Sequence, residues 1–165
     1  MKLSKCVFSL MICVISLKVT AKPLKIRNAG DPAVIMLKNF YQAYTTAWCT
    51  VTGNVLIKKL DSLQSKYCTI AYHRELKKEF KEVGLDHDEL VNDAATDVGH
   101  LNTLTVVKNP KRANEYIVSY MVFGKDVSND PLTEKIIMHI VVMQEGGNYK
   151  IAAVKNGSYT IIPNK

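Results

Sequence analysis

The chain has 165 residues, of which 47% are hydrophobic, 22% charged and 8% aromatic, with a net charge of +7. That length fits one domain, and the hydrophobic content excludes a disordered chain. No fixed period runs through it, which excludes coiled coils, collagen and repeat arrays.

The first element is a leader. Lys2 and Lys5 precede an apolar run from Cys6 to Leu17 that only Ser9 and Ser16 interrupt. This is the pattern of a secretory signal peptide, and the run is shorter than the ~20 apolar residues a bilayer span needs. Val19-Thr20-Ala21 provides a small residue at the cut, so residues 1–21 are expected to leave after Ala21. An uncleaved anchor and lipid attachment are the alternatives; Cys13 lies inside the run behind Met11-Ile12, which disfavours lipidation. Lys2, Lys5 and Lys18 go with the leader, leaving 19 basic against 15 acidic residues, a net +4. With no basic cluster left, nucleic-acid binding is not expected. Nor is a membrane span after cleavage.

Residues 22–30 read as a flexible lead-in, and residues 31–165 as a single domain. Asp31-Pro32 predicts a helix start, an acidic cap before proline at the first helical position. Ala33, Leu37, Phe40, Tyr41, Tyr44 and Trp48 then recur at helical spacing to about Cys49. Gly53 breaks the run. Leu56, Leu60, Leu63 and Tyr67 mark a second helix, and Thr69 caps a third through Lys81 with Tyr72, His73, Leu76 and Phe80 on one side. Gly84 closes it. Residues 85–100 are acidic and irregular.

Strand patterns follow. Leu101–Lys108 is rich in β-branched residues, Glu115–Gly124 alternates, and Leu132–Gln144 is almost wholly apolar, as a central strand is. Glu145-Gly146-Gly147-Asn148 is a hairpin turn leading into Tyr149–Lys155. Asn156-Gly157 reads as a second tight turn, with Tyr159–Ile162 as a short edge strand. Three N-terminal helices followed by four to five antiparallel strands predict a segregated α+β fold, a curved sheet closing on the aromatic stripe of the first helix.

Several segments carry a resemblance: Phe40-Tyr41-x-x-Tyr44, Leu60-Asp61-Ser62-Leu63-x-x-Lys66-Tyr67-Cys68-Thr69, Asp86-x-Asp88, Leu104-Thr105-Val106, Tyr116-x-Val118-x-Tyr120 and Gly147-x-Tyr149-Lys150-Ile151. In this order, over about residues 31–155, the chain resembles the bacterial exported family catalogued as domain of unknown function 3828. The stretch Asn92–Asp97 departs from that family's pattern. The resemblance implies a cone-shaped fold similar to nuclear transport factor 2 and the cystatins, often with a pocket at the open end. It implies no activity.

Candidate chemistry is sparse. Asp86, Asp88, Glu89, Asp93 and Asp97 lie close together, and oxygen-rich loops can bind calcium; the alternative is that these carboxylates cap helices and pair with Lys77 or Lys81. Asp86 and Asp88, with Tyr44 and Trp48, are the candidate ligand contacts, since aromatic residues with polar tips can line a cavity while their rings pack. His87 and His73 read as an exposed loop residue and a hydrogen-bonded core residue; periodicity leaves His139 undecided. Cys49 and Cys68 survive the leader. In an exported chain they form either a disulfide or two separate thiols. No zinc spacing, hydrolase elbow or phosphate loop occurs, so no cofactor, no metal ligand and no catalytic residue is assigned.

The expectation is an exported binding or accessory module, non-enzymatic, recognising a small-molecule ligand or an envelope protein partner. One alternative is an isomerase- or dehydratase-like enzyme using Tyr44, Asp88 and His139; the other is a calcium-stabilised module. Two or more of the three enzyme candidates meeting within hydrogen-bond reach, in a pocket of roughly 300 Å³ or more, favour the enzyme; scattered groups favour the binder.

Overall fold

A computed structural model describes residues 30–84, 87–92, 96–125, 129 and 131–162. The leader, all of the lead-in but Gly30, and the acidic residues Asp86 and Asp93 lie outside the described residues.

Helix α1 spans Pro32–Thr50. Its start is the one the sequence predicts: the Asp31 carboxylate accepts from the Ala33 amide at 2.9 Å, satisfying an amide that the helix itself leaves unpaired. Helix α2 spans Gly53–Tyr67 and α3 spans Ile70–Val83. The Thr69 side chain caps α3 through the Tyr72 amide, and the Glu145 carboxylate adds a bond to the Ile70 amide at 3.1 Å. Gly84, at φ 71°, ends α3 in the left-handed region that glycine enters without steric cost.

Strands β1 (Thr105–Lys108), β2 (Glu115–Lys125), β3 (Pro131–Glu145) and β4 (Asn148–Ile162) form one antiparallel sheet in the order β1-β2-β3-β4. Every strand pairs with its neighbour in sequence, so the meander needs no crossover. On β3, Ile136, Met138, Ile140 and Val142 are buried and alternate with less buried residues, the period-two signature of a sheet with one face on the core. Phe40, Tyr41 and Tyr44 of α1 are 1% exposed or less and form the centre of that core. Phe40 meets the Tyr41 ring edge-on at 5.1 Å and packs against Tyr44 and Tyr67. The α+β architecture is therefore as expected.

Two local readings are corrected. Leu101–Thr103 is not strand: Val98–Thr103 is a 3-10 helix. Asp97 accepts from the Gly99 amide while the His100 ring accepts from the Asp97 amide, and this reciprocal cap outweighs the β-branched pattern beside it. Asn156-Gly157 is not a turn either, because β4 runs through it. Register slips between Ile137/Ser158 and His139/Lys155, and again between Val141/Ala153 and Val142/Ile151, each leaving an extra residue on β4. Such bulges bend a strand and sharpen its twist, and here they curve the sheet's edge around α1. Gly157 serves a close approach, since a β-carbon there would collide with the Asn92 side chain.

The α2–α3 junction docks on the edge of that strand. Cys68 bridges to Ile151, and the Thr69 amide donates to the Ile151 carbonyl at 2.8 Å. Among the described residues no helix is long and apolar enough to cross a membrane.

Candidate functional site

The tertiary structure brings a polar group to the middle of the aromatic stripe. Tyr44 and Trp48 lie one turn apart on α1 and so share a face. Both donate to the same oxygen of Asp88: the Tyr44 hydroxyl to Oδ2 at 2.8 Å, and the Trp48 indole N–H to Oδ2 at 3.3 Å. The other oxygen, Oδ1, accepts the Leu90 amide at 3.0 Å. Gln64 of α2 completes the chain by donating from Nε2 to the Tyr44 hydroxyl oxygen at 2.8 Å.

Asp88 is 8% exposed. Burial raises its carboxyl above the usual carboxylate range, and the bonds from Tyr44, Leu90 and Trp48 offset part of that rise. Burial also pushes the Tyr44 hydroxyl well above its ordinary value, with the Asp88 charge adding to it. Next to Asp88, the half-buried Glu89 accepts from the Tyr72 hydroxyl at 2.6 Å. Its carboxyl is raised by burial, opposed by the Tyr72 bond and reinforced by the charges of Glu79, Asp88 and Glu75. No lysine or arginine among the described residues forms an ion pair with Asp88 or Glu89.

A cleft of about 310 Å³ opens over this group, between α2, α3 and the 87–89 loop. Its walls include Ile57, Leu60, Leu76 and Phe80; Tyr44, Gln64, Asp88 and Glu89 contribute the polar lining. Lys58, Lys77 and Lys81 also border it, each exposed. Lys77 is held by Asp61 at 3.1 Å. The volume falls at the lower end of the range for small-molecule sites, and the lining, apolar with a few convergent polar groups, is of the same kind.

Tyr44 and Asp88 therefore meet within hydrogen-bond reach beside a cavity of the stated size, which is the arrangement set above as favouring an enzyme. His139 does not join them. It sits on β3, where its Nδ1 meets Glu115 at 2.8 Å. Glu115 is 3% exposed and also takes bonds from Asn109 and Arg112. The His139 bond, ahead of those from Asn109 and Arg112, holds its carboxyl down to about 2. His87 is exposed at the cleft, and His73 is bonded to Asp61 at 2.8 Å. Trp48 contacts Asp88 without being among the residues that line the cleft.

The remaining acidic residues go separate ways. Asp97 caps the 3-10 helix, and Lys77 pairs with Asp61 rather than with the loop. Among the described residues no group of three or more His, Cys, Asp or Glu side chains is placed to hold a metal ion. Cys49 and Cys68 are not bridged, which corrects the disulfide expectation. Cys49 is exposed at the end of α1, with its thiol on the Thr96 carbonyl at 3.3 Å. Cys68 is 2% exposed in the core, where burial pushes its thiol up to about 12.

Sequence reasoning missed Gln64, Tyr72 and Glu89 as parts of one site. Gln64 carried a usable signal: it lies one turn beyond Leu60, so it is a polar residue on an otherwise apolar helix face.

No protein-family model matches the chain, and no curated protein matches it. A crystal structure of a protein of unknown function from Bacteroides thetaiotaomicron VPI-5482 is similar in fold, with a TM-score of 0.59 and 20% sequence identity over 75% of this chain and 88% of that one. At that identity the likeness is one of fold.

Proposed function

We propose that this is an exported bacterial binding module, akin to the domain of unknown function 3828 family, that receives a small ligand in the α2–α3 cleft. The observation that carries the reading is the cleft itself: an apolar-walled cavity of about 310 Å³ with the Tyr44–Asp88–Gln64 chain in its lining. Binding is favoured over catalysis by how that chain is used. The Tyr44 hydroxyl donates its hydrogen bond to Asp88 and accepts one from Gln64, and both Asp88 oxygens already have donors. These bonds tie the 87–91 loop to α1, which accounts for the convergence without a reaction. Acid–base chemistry is the second reading, favoured by the raised carboxyl of Asp88 beside the cleft.

Trp48 is the only tryptophan of the chain and touches Asp88, so it reports on the site. Titration with the apolar fluorophore N-phenylnaphthylamine should show saturable energy transfer from Trp48 with one site per chain. Ile57→Phe, which fills the cleft wall, should weaken binding with the melting midpoint unchanged. Non-saturable uptake, or binding indifferent to Ile57→Phe, refutes the reading. Export is tested separately: deletion of residues 1–21 should retain the protein in the cytoplasm on cell fractionation.

A further inference from the structure

The charges around the cleft are divided in a way that selects a ligand. Asp88 and the half-buried Glu89 lie on the inner side, adjacent in sequence, supported by the neutral donors Tyr44, Trp48, Tyr72 and the Leu90 amide. The lining holds two further carboxylates, the half-buried Glu79 and Asp61, of which Asp61 is already paired with His73 and Lys77. The lysines Lys58, Lys77 and Lys81 are exposed to solvent, where water and salt screen them. Neighbouring carboxylates of low exposure that form no ion pair among the described residues, with only the exposed His87 beside Asp88 to offset their charge, repel one another and are poorly solvated, so a cation delivered to them is favoured.

The walls then decide what kind of cation. Ile57, Leu60, Leu76 and Phe80 offer hydrocarbon and no oxygen or nitrogen ligands, so a bare metal ion would lose its hydration shell for little coordination in return. An organic cation loses less. The Phe80 ring, 36% exposed at the cleft, can cover an apolar chain or face a positive charge.

Resting on the binding reading above, we propose that the cleft takes a ligand carrying an ammonium group on an apolar body, the ammonium against Asp88 and Glu89 and the apolar part against Leu60, Leu76 and Phe80. A neutral analogue keeps the wall contacts and loses the charge pairing. An anionic analogue meets the carboxylates unfavourably.

Calorimetric titration of the protein at neutral pH with octylamine, octanol and octanoate, each below its micelle concentration, separates these. Octylamine should bind about tenfold more tightly than octanol, the ratio given by ~1.4 kcal/mol, and octanoate should bind more weakly than both. Glu89→Gln keeps an acceptor for Tyr72 while removing the charge, and should erase most of the octylamine advantage. Asp88→Asn should do the same, with circular dichroism checking that each variant is folded. Equal binding of all three probes overturns the ammonium preference and leaves the cleft reading standing. Preference for octanoate overturns it in favour of the lysines at the cleft. Failure of all three probes and of N-phenylnaphthylamine overturns both.

Discussion

Removing one oxygen atom tests the centre of the structure. Tyr44→Phe deletes the hydroxyl that links Gln64 to Asp88 and leaves the ring in its place against Phe40. The lost bond to Asp88 is 2.8 Å long and reaches a buried carboxylate; bonds to charged groups contribute about 1.5–3 kcal/mol. The half-buried Gln64 can recover a bond from water, and Asp88 keeps the Trp48 and Leu90 donors, so the expected cost is about 2 kcal/mol at neutral pH. For a domain of this size that lowers the melting midpoint by roughly 8 °C.

The cost also depends on pH. The Asp88 carboxyl titrates above its usual value in the fold, so its contribution to stability is full below the ordinary carboxylate pKa and falls as pH rises through the folded value. Tyr44→Phe removes a donor to the ionised form and raises that folded value further. The variant should therefore lose more at neutral pH than at pH ~4, where a bond to the neutral carboxyl is worth nearer 1 kcal/mol. Urea unfolding followed by Trp48 fluorescence measures both. A cost under about 0.5 kcal/mol at neutral pH, the size of an ordinary surface change, or the same cost at both pH values, refutes the account.

Three further outcomes follow from other parts of the chain. Asp31→Ala loses the cap on the Ala33 amide and the acceptor of the Tyr116 hydroxyl, and should cost about 1–2 kcal/mol in urea unfolding; a neutral result would show that the first turn of α1 needs no cap. Glu115 is held down to about 2, so the stability it contributes is present above the ordinary glutamate pKa and is lost as pH falls toward 2. Glu115→Gln should flatten the acid side of the melting-midpoint profile between pH 6 and 2, and an unchanged profile refutes the assignment. Under native conditions iodoacetamide should modify Cys49 and spare Cys68 until the protein unfolds; equal labelling in peptide mapping would place Cys68 outside the core.

The helices were legible because local rules and tertiary packing agree in them. Asp31, Thr69 and Gly84 mark ends that the folded chain uses, and the apolar spacing on α1 is the face that the sheet covers. Local rules misled where a competing contact lay close by. The cap at Asp97 and His100 turned a strand-like run into a 3-10 helix, and the glycine of Asn156-Gly157 lies within β4 against the Asn92 side chain rather than in a turn.

The site itself had only half its members in view. Tyr44, Trp48 and Asp88 were singled out by residue type, but their meeting depends on a contact spanning 44 positions between Tyr44 and Asp88. His139 was grouped with them on chemistry alone and went instead to Glu115, 24 positions away. The sequence by itself determined which faces had to be buried, since helical and strand periodicity place apolar side chains on one side whatever lies opposite. Which polar groups were carried inward with those faces was decided by the tertiary structure, because a buried carboxylate needs hydrogen-bond donors, and for Asp88 two of the three, Tyr44 and Trp48, come from a distant helix.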